Sequence, residues 1–237
     1  MDLKAHGVTD VFKWWLFMAT DIIGELTFGD SFQMLEIGKE AQGYIIAGSD
    51  TTAVTLTYLT YAVCRDSRVR EKLVAELAGI PEPVTDKSLR DLPYLNQTIN
   101  ETLRLYTAVP FGLPRLVPPE GAEFNEYRVP GGITVSTQAY SLHRDHTIFP
   151  DPENFNPERW ENPTKEMKDA SLPFGGGSRI CLGMHLARME LRLATALFFR
   201  ALPNARPSTK EGMTASEMEM QSFFLMAPQG HRCIIET

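Results

Sequence analysis

The sequence has few cysteines, and they lie far apart. Cys64, Cys181 and Cys233 are the 3 cysteines among 237 residues, and no C-x-x-C pair occurs. Zinc knuckles and disulfide frameworks need several cysteines at short spacings, so the sequence predicts neither. We therefore expect reduced thiols in an intracellular protein.

Positive charge and long apolar runs are also scarce. The 30 acidic and 23 basic residues give a net charge of −7. No basic cluster interrupts this excess, which argues against a nucleic-acid surface. A bilayer-spanning helix needs roughly 18 consecutive apolar residues, whereas the most apolar stretch, WWLFMATDII, is short and contains Asp21. The first residues lack the pattern of a secretory signal, so we expect no membrane anchor in this sequence.

Most of the sequence has a helical pattern. Apolar side chains at helical spacing predict a helix over residues 8–28 with Asp10 as its N-cap. A second helix is predicted over about 35–63, broken in its middle by AGSDTT. Two further helices are predicted in the segments RVREKLVAELAG and LPYLNQTINETLRLY, and a long one in LGMHLARMELRLATALFFRAL.

The pattern changes after the fourth helix. Residues 113–137 carry several prolines and paired glycines around short β-prone stretches, which indicates a small sheet. Residues 145–173 are rich in proline, aspartate and asparagine and predict an ordered coil. The tail segments SFFLMAP and RCIIET predict a final hairpin. The expected fold is mainly α with a small β-sheet.

The most informative segment is FGGGSRICLG, at residues 174–183. Cys181 comes just before a predicted helix, where unpaired N–H groups and the helix dipole stabilise an anion such as a thiolate. Arg179 adds positive charge, and glycines let the backbone approach a large flat group. These features fit a thiolate that binds a metal within a bulky cofactor. The alternatives are a small buried cysteine and a phosphate loop, although no G-K-[ST] follows.

The complete pattern is F-x-x-G-x-R-x-C-x-G, formed by Phe174, Gly177, Arg179, Cys181 and Gly183. It resembles the haem-binding signature of the cytochrome P450 family, the haem-thiolate monooxygenases. The resemblance implies that these residues bind haem b, with Cys181 as the axial ligand of the iron. It also implies that Arg179 binds a haem propionate.

Two other segments resemble structural motifs of the same family. E-T-L-R places Glu101 and Arg104 on one helix face, and FNPERW contains Arg159. Taken alone, the first two residues could form an ordinary surface ion pair. The resemblance implies instead a buried structural network of the three residues beneath the haem.

The segment AGSDTT, residues 47–52, is poor helix sequence because glycine and β-branched residues weaken helices. Taken alone, it predicts a loop or a helix end. The resemblance implies a kinked helix above the haem, in which Thr51 and Asp50 are catalytic residues that relay protons to bound dioxygen. Ala47 and Gly48 would leave room for the oxygen molecule.

Arg115 and His143 lie in regions where the family often places propionate partners. The resemblance makes both residues candidates for cofactor binding. For each of them a purely structural role is the alternative.

The resemblance implies the C-terminal part of the cytochrome P450 fold. It also implies a monooxygenase that activates dioxygen to hydroxylate or oxidise a small apolar organic substrate, in secondary metabolism or detoxification. Electrons would come from NAD(P)H through a partner reductase. Family members are usually anchored in the endoplasmic-reticulum membrane, and this sequence shows no anchor.

Compared with the family pattern, the N-terminal strands and early helices are missing from this sequence. Around Lys39 to Gln42, a helix like the one before the substrate-roof helices runs directly into AQGYIIAGSDTT. We therefore assign residues 1–39 to a remnant helix and connection, and residues 40–237 to the haem-binding part. The alternative to an active enzyme is a truncated, catalytically inactive haem-binding or non-functional fragment.

Overall fold

Helices dominate the computed structural model, which describes residues 7–28, 34–223 and 225–237. Side-chain caps fix where several of them begin: Asp66 accepts hydrogen bonds from the N–H groups of Arg68 and Val69, and Asp10 accepts one from Phe12. The predicted N-cap at Asp10 is therefore present. The helices are α1 (Val11–Phe28), α2 (Met34–Arg65), α3 (Ser67–Ala78), α4 (Asp86–Leu89), α5 (Pro93–Leu105), α6 (Ala139–Leu142), α7 (Lys165–Ala170) and α8 (Met184–Ala201).

Helix α2 runs without interruption for 32 residues, so the predicted break at AGSDTT is wrong. The hydroxyl of Thr51 donates to the carbonyl oxygen of Ala47 at 2.6 Å, and the hydroxyl of Thr55 donates to the backbone carbonyl oxygen of Thr51 at 2.8 Å. These threonines bond back to the preceding turn, so they add to the backbone ladder without replacing it. Tertiary packing then outweighs their low helix propensity, because the residues from Thr52 to Cys64 are buried.

One hydrophobic core joins the long helices. Trp15 of α1 packs against Phe198 of α8 with ring centroids 5.7 Å apart, and its indole N–H donates to Thr60 of α2 at 3.2 Å. Leu73 of α3 and Ile99 of α5 belong to the same buried cluster. The described part of the segment 1–39 therefore packs into the same core as the rest of the chain.

The strands form small antiparallel sheets around this helical core. Among the described residues, one sheet has the strand order β1–β9–β6, and the others are the pairs β2–β5, β3–β4 and β7–β8. The predicted hairpin between SFFLMAP and RCIIET is wrong, because β8 pairs with β7 whereas β9 pairs with β1 and β6. The strands are β1 (Val8–Asp10), β2 (Leu113–Leu116), β3 (Ala122–Phe124), β4 (Tyr127–Val129), β5 (Thr134–Thr137), β6 (Arg206–Pro207), β7 (Met220–Ser222), β8 (Met226–Pro228) and β9 (Ile234–Glu236).

The coil predicted over residues 145–173 contains two short helical pieces, a 3-10 turn at Pro157–Trp160 and α7. Within this segment, a second, small buried cluster is formed by Phe149, Met167 and Ala170. This packing holds the coil in place and leads the chain to the glycine-rich loop before α8. Within the part of the chain that the structure describes, no helix is both long and apolar enough to cross a membrane.

Candidate haem-thiolate site

The loop from Phe174 to Cys181, called the Cys loop below, is closed by its own backbone. The N–H of Cys181 donates to the carbonyl oxygen of Phe174 at 2.9 Å, and the N–H of Ile180 donates to Gly177 at 3.3 Å. Gly175 and Gly177 have φ values of 70° and 64°, which residues with a side chain rarely adopt. The glycine run therefore lets the chain fold back sharply and present Cys181 at the surface.

Cys181 differs from the other two cysteines in its surroundings. It is exposed and lies three residues before α8, an 18-residue helix whose N-terminal N–H groups and dipole stabilise a nearby anion. Cys64 and Cys233 are buried, and burial raises the pKa of Cys64 to about 12 and that of Cys233 well above its ordinary value. The two buried thiols therefore stay protonated, and Cys181 is the accessible one.

The surface around Cys181 combines apolar side chains with cations. Leu182 is 85% exposed, and strand β2 lies close to the Cys loop, since a methyl group at Gly175 would lie 3.9 Å from Leu113. Among the described residues Arg179 makes no hydrogen bond or ion pair. Within the described part of the chain, the guanidinium of Arg115 donates only to the carbonyl oxygen of the neighbouring Pro114. Both guanidinium groups are thus available for external carboxylates.

A buried carboxylate organises the region behind the loop. Glu101 receives two hydrogen bonds from Arg104, at 2.8 and 2.9 Å, and one from Arg159 at 3.2 Å. The backbone N–H of Asn156 and the indole N–H of Trp160 each add a bond of 2.9 Å. The structure therefore brings the three predicted structural residues together, with two further donors that sequence reasoning missed.

Arg104 is fully buried and has partners on several sides. Besides Glu101, its guanidinium donates to the carbonyl oxygen of His143 at 2.7 Å and lies 5.3 Å from the ring centroid of Phe149. A buried ion pair with this many hydrogen bonds is costly to break, because either charge left alone lacks solvation. The network therefore fixes α5 against the coil that leads to the Cys loop.

His143 is fully buried, and both of its ring nitrogens are engaged. Nδ1 lies 2.9 Å from the carbonyl oxygen of Arg104, and Nε2 accepts the backbone N–H of Leu172 at 2.9 Å. Burial lowers the pKa of His143 to about 4, so the imidazole is neutral at physiological pH. The ring has no free donor, and the predicted propionate role of His143 finds no support here. The structural alternative agrees with its position.

The predicted oxygen-side residues lie on α2. Asp50 and Thr51 are half-buried, and burial raises the pKa of Asp50. Asp50 has no hydrogen-bond partner among the described residues, and no hydrogen bond or ion pair in that part of the chain joins either residue to the Cys loop. Gly48 faces α1, because a methyl group there would lie 2.6 Å from Ile23. Close packing of α2 against α1 therefore gives a structural reason for this glycine.

Comparison with known proteins decides the family. The cytochrome P450 family model matches residues 36–233. This chain belongs to the cytochrome P450 family. It is 43% identical to the cytochrome P450 monooxygenase tazI of Aspergillus terreus, in an alignment that covers 99% of this chain and 67% of that protein. It is 38% identical to the monooxygenase orf2 of Aspergillus niger over the same shares, and 42% identical to the monooxygenase aflV of Aspergillus parasiticus over 85% of this chain and 40% of that protein.

The surface around Cys181 fits the prosthetic group of a cytochrome P450. Haem presents a flat apolar macrocycle, two carboxylates and an iron that accepts a thiolate ligand. The described residues offer an exposed thiol, exposed apolar side chains at Leu113, Ile180 and Leu182, and two guanidinium groups with no competing carboxylate. Guanidinium groups bind carboxylates in a bidentate geometry.

The structure also identifies residues of this cytochrome P450 that the sequence did not single out. Arg188 of α8 lies over the ring of Phe174, 5.4 Å from its centroid, and donates to Asn100 of α5 at 3.0 Å. Glu190 is buried against α2, where it is hydrogen-bonded to Thr52, and burial raises its pKa to about 7. Their spacing along α8 is ordinary for a packed helix, so no sequence signal distinguished them.

Proposed function

We propose that this chain is the haem-binding core of a fungal-like cytochrome P450 monooxygenase that oxidises a small apolar organic substrate in secondary metabolism. Haem b is held through Cys181, and electrons come from NAD(P)H through a partner reductase. The observation that carries this proposal is the exposed Cys181 thiol, presented by the closed Cys loop at the start of α8. The named relatives are all cytochrome P450 monooxygenases.

Each predicted site residue has a role in this proposal. Thiolate-bound haem supplies the activation of dioxygen. Arg179 and Arg115 bind the propionates, while Phe174, Gly177 and Gly183 shape the loop against the macrocycle. These assignments are supported by the exposure of both arginines and by the positive φ of Gly177.

The proton path is proposed at two side chains of α2. The hydroxyl of Thr51 donates a hydrogen bond to the carbonyl oxygen of Ala47, which leaves the hydroxyl oxygen able to accept a further hydrogen bond. The raised pKa of Asp50 keeps a proton on its carboxyl group at higher pH than usual. Because Asp50 and Thr51 share no hydrogen bond among the described residues, the proposed relay needs a bridging water molecule, and the Thr51 hydroxyl must turn away from Ala47 to pass its own proton on as it accepts another.

Haem titration tests the proposal through matched cysteine variants. We expect Cys181→Ala to abolish stoichiometric haem binding, whereas Cys64→Ala, which alters a buried thiol, leaves it intact. With the reductase and NADPH, the wild-type chain should oxidise a member of an apolar substrate panel. Equal haem binding by both variants would show that Cys181 is not the ligand.

A second candidate function is a haem-binding fragment without turnover, and the alignments favour it on one point. The tazI alignment has 329 positions, and 99% of this chain is about 235 residues, so about 94 positions have no residue of this chain. The aflV alignment has 207 positions for about 201 residues, so only about 6 are unpaired. An unpaired stretch of this size is what a deletion of the roof helices at the predicted junction, Lys39 to Gln42, would produce.

This gap supports the proposed division into residues 1–39 and 40–237, with roof helices missing between them. Without the roof helices, more water reaches the haem. Water weakens electrostatic interactions in the site and lets reactive intermediates decay by side reactions. The two candidates differ in one measurement: the ratio of product formed to NADPH consumed by the haem-loaded chain with reductase. Stoichiometric coupling identifies an enzyme, whereas NADPH consumption that yields only hydrogen peroxide identifies a fragment.

A further inference from the structure

We propose that His143 is a positioning residue of the haem-thiolate site. Its imidazole links Leu172, in the segment just before the Cys loop, to α5, the helix that carries Glu101 and Arg104; this link is called the tie below. The inference rests on the proposed function, because it assigns a role in holding the loop that presents Cys181. It replaces the predicted contact of His143 with a propionate.

The two hydrogen bonds of the imidazole fix its tautomer. The backbone N–H of Leu172 can only donate, so Nε2, at 2.9 Å, must be the acceptor and carries no proton. The carbonyl oxygen of Arg104 can only accept, so Nδ1, also at 2.9 Å, carries the proton and donates it. A neutral imidazole satisfies both backbone groups, whereas an imidazolium cannot.

A third bond makes the link to α5 reciprocal. The guanidinium of Arg104 donates to the carbonyl oxygen of His143 at 2.7 Å, so the two residues are joined in both directions. His143 is also the C-terminal capping residue of the short helix α6. It therefore joins α5, α6 and the chain leading to the Cys loop at one buried point.

The tie reaches the ligand through a short path. Leu172 lies two residues before Phe174, whose carbonyl oxygen accepts the N–H of Cys181 at 2.9 Å. The other end of the path, at Arg104, is fixed by Glu101. Movement at Leu172 is therefore passed to the backbone bond that positions Cys181.

Only histidine meets both demands at this spacing. Asparagine can place an N–H near the position of Nδ1 and keep the bond to Arg104, but it cannot reach Leu172. Glutamine can place a carbonyl oxygen near the position of Nε2 and keep the bond to Leu172. The two variants therefore separate the two halves of the tie, and His146→Asn, at an exposed position three residues away, is the matched control.

Amide hydrogen exchange on the full chain without haem measures the tie directly. We expect His143→Asn to raise the exchange rates of the Leu172 and Cys181 N–H groups about fivefold, the effect of losing one hydrogen bond. Exchange in α3 should be unchanged, His143→Gln should restore the Leu172 rate, and His146→Asn should match the wild type. Unchanged rates in His143→Asn, or an equal rise throughout the chain, would overturn the proposal.

A measurement on the unaltered chain keeps the proposal testable if the variants do not fold. Nitrogen-15 NMR of the ring should show His143 as the neutral tautomer with the proton on Nδ1 at pH 7. An Nε2-protonated ring or an imidazolium at that pH would contradict it. Both measurements are independent of haem, so a chain that failed to bind haem would refute the proposed function and leave this test standing.

Discussion

Replacing Glu101 by glutamine keeps the shape of the side chain but removes the charge that balances Arg104. Both side chains are fully buried, and the carboxylate accepts bonds from Arg104, Arg159, Trp160 and the Asn156 backbone. The amide of glutamine offers one acceptor oxygen and an NH₂ group that faces donors. Because breaking one partner of a buried ion pair typically costs about 3–5 kcal/mol, we expect a loss of that size.

Urea unfolding followed by circular dichroism measures this loss. The midpoint should fall strongly in Glu101→Gln while the slope with urea stays the same, since the folded and unfolded surfaces are unchanged. Glu153→Gln is the matched control, because Glu153 pairs with Arg144 but is 70% exposed, and exposed pairs contribute about 0–1 kcal/mol. A loss below about 1 kcal/mol in Glu101→Gln would refute the view that this carboxylate holds the region together.

Three further changes have defined outcomes. The pKa of histidine is about 6.5 in the unfolded chain, whereas burial lowers the pKa of His143 to about 4 in the folded chain. As the pH falls from about 6.5 to 4, the free energy of unfolding should therefore decrease by about 3 kcal/mol. His143→Asn should lack this trend. Burial raises the pKa of Glu190 from 4.5 to about 7 in the folded chain. Stability should therefore decrease as the pH rises from about 4.5 to 7, and Glu190→Gln should remove this decrease. Gly48→Ala should destabilise the chain by about 1–3 kcal/mol through its clash with Ile23, and the double variant with Ile23→Val should recover part of the loss; denaturant titrations check all three.

Much of the fold could be predicted from local patterns in the sequence. Apolar spacing located α1 and α8, and turn residues located the strands around Tyr127 and Thr134, because these signals act within a few residues of each other. The partner of β9 could not be predicted, since Val8 and Glu236 meet from opposite ends of the chain. The continuity of α2 was also missed, because packing against α1 outweighs local propensity there.

For the candidate site too, local features could be predicted from the sequence and long-range contacts could not. The Cys loop, including Cys181 and Arg179, is a continuous segment, so its glycine spacing and its resemblance to a family signature were readable in the sequence. The hydrogen bonds of His143 could not be predicted, because their partners Arg104 and Leu172 are 39 and 29 residues away. Hydrogen bonds between such distant groups leave no periodic signal.

The ferrous–carbon monoxide spectrum of the reconstituted full chain tests the central claim most directly. If Cys181 ligates the haem iron as a thiolate, the Soret band will show the red shift characteristic of thiolate ligation, and Cys181→Ala will lose it. A Soret band without that shift in the folded wild-type chain, or the same band in Cys181→Ala, would contradict the assignment of Cys181 as the haem ligand.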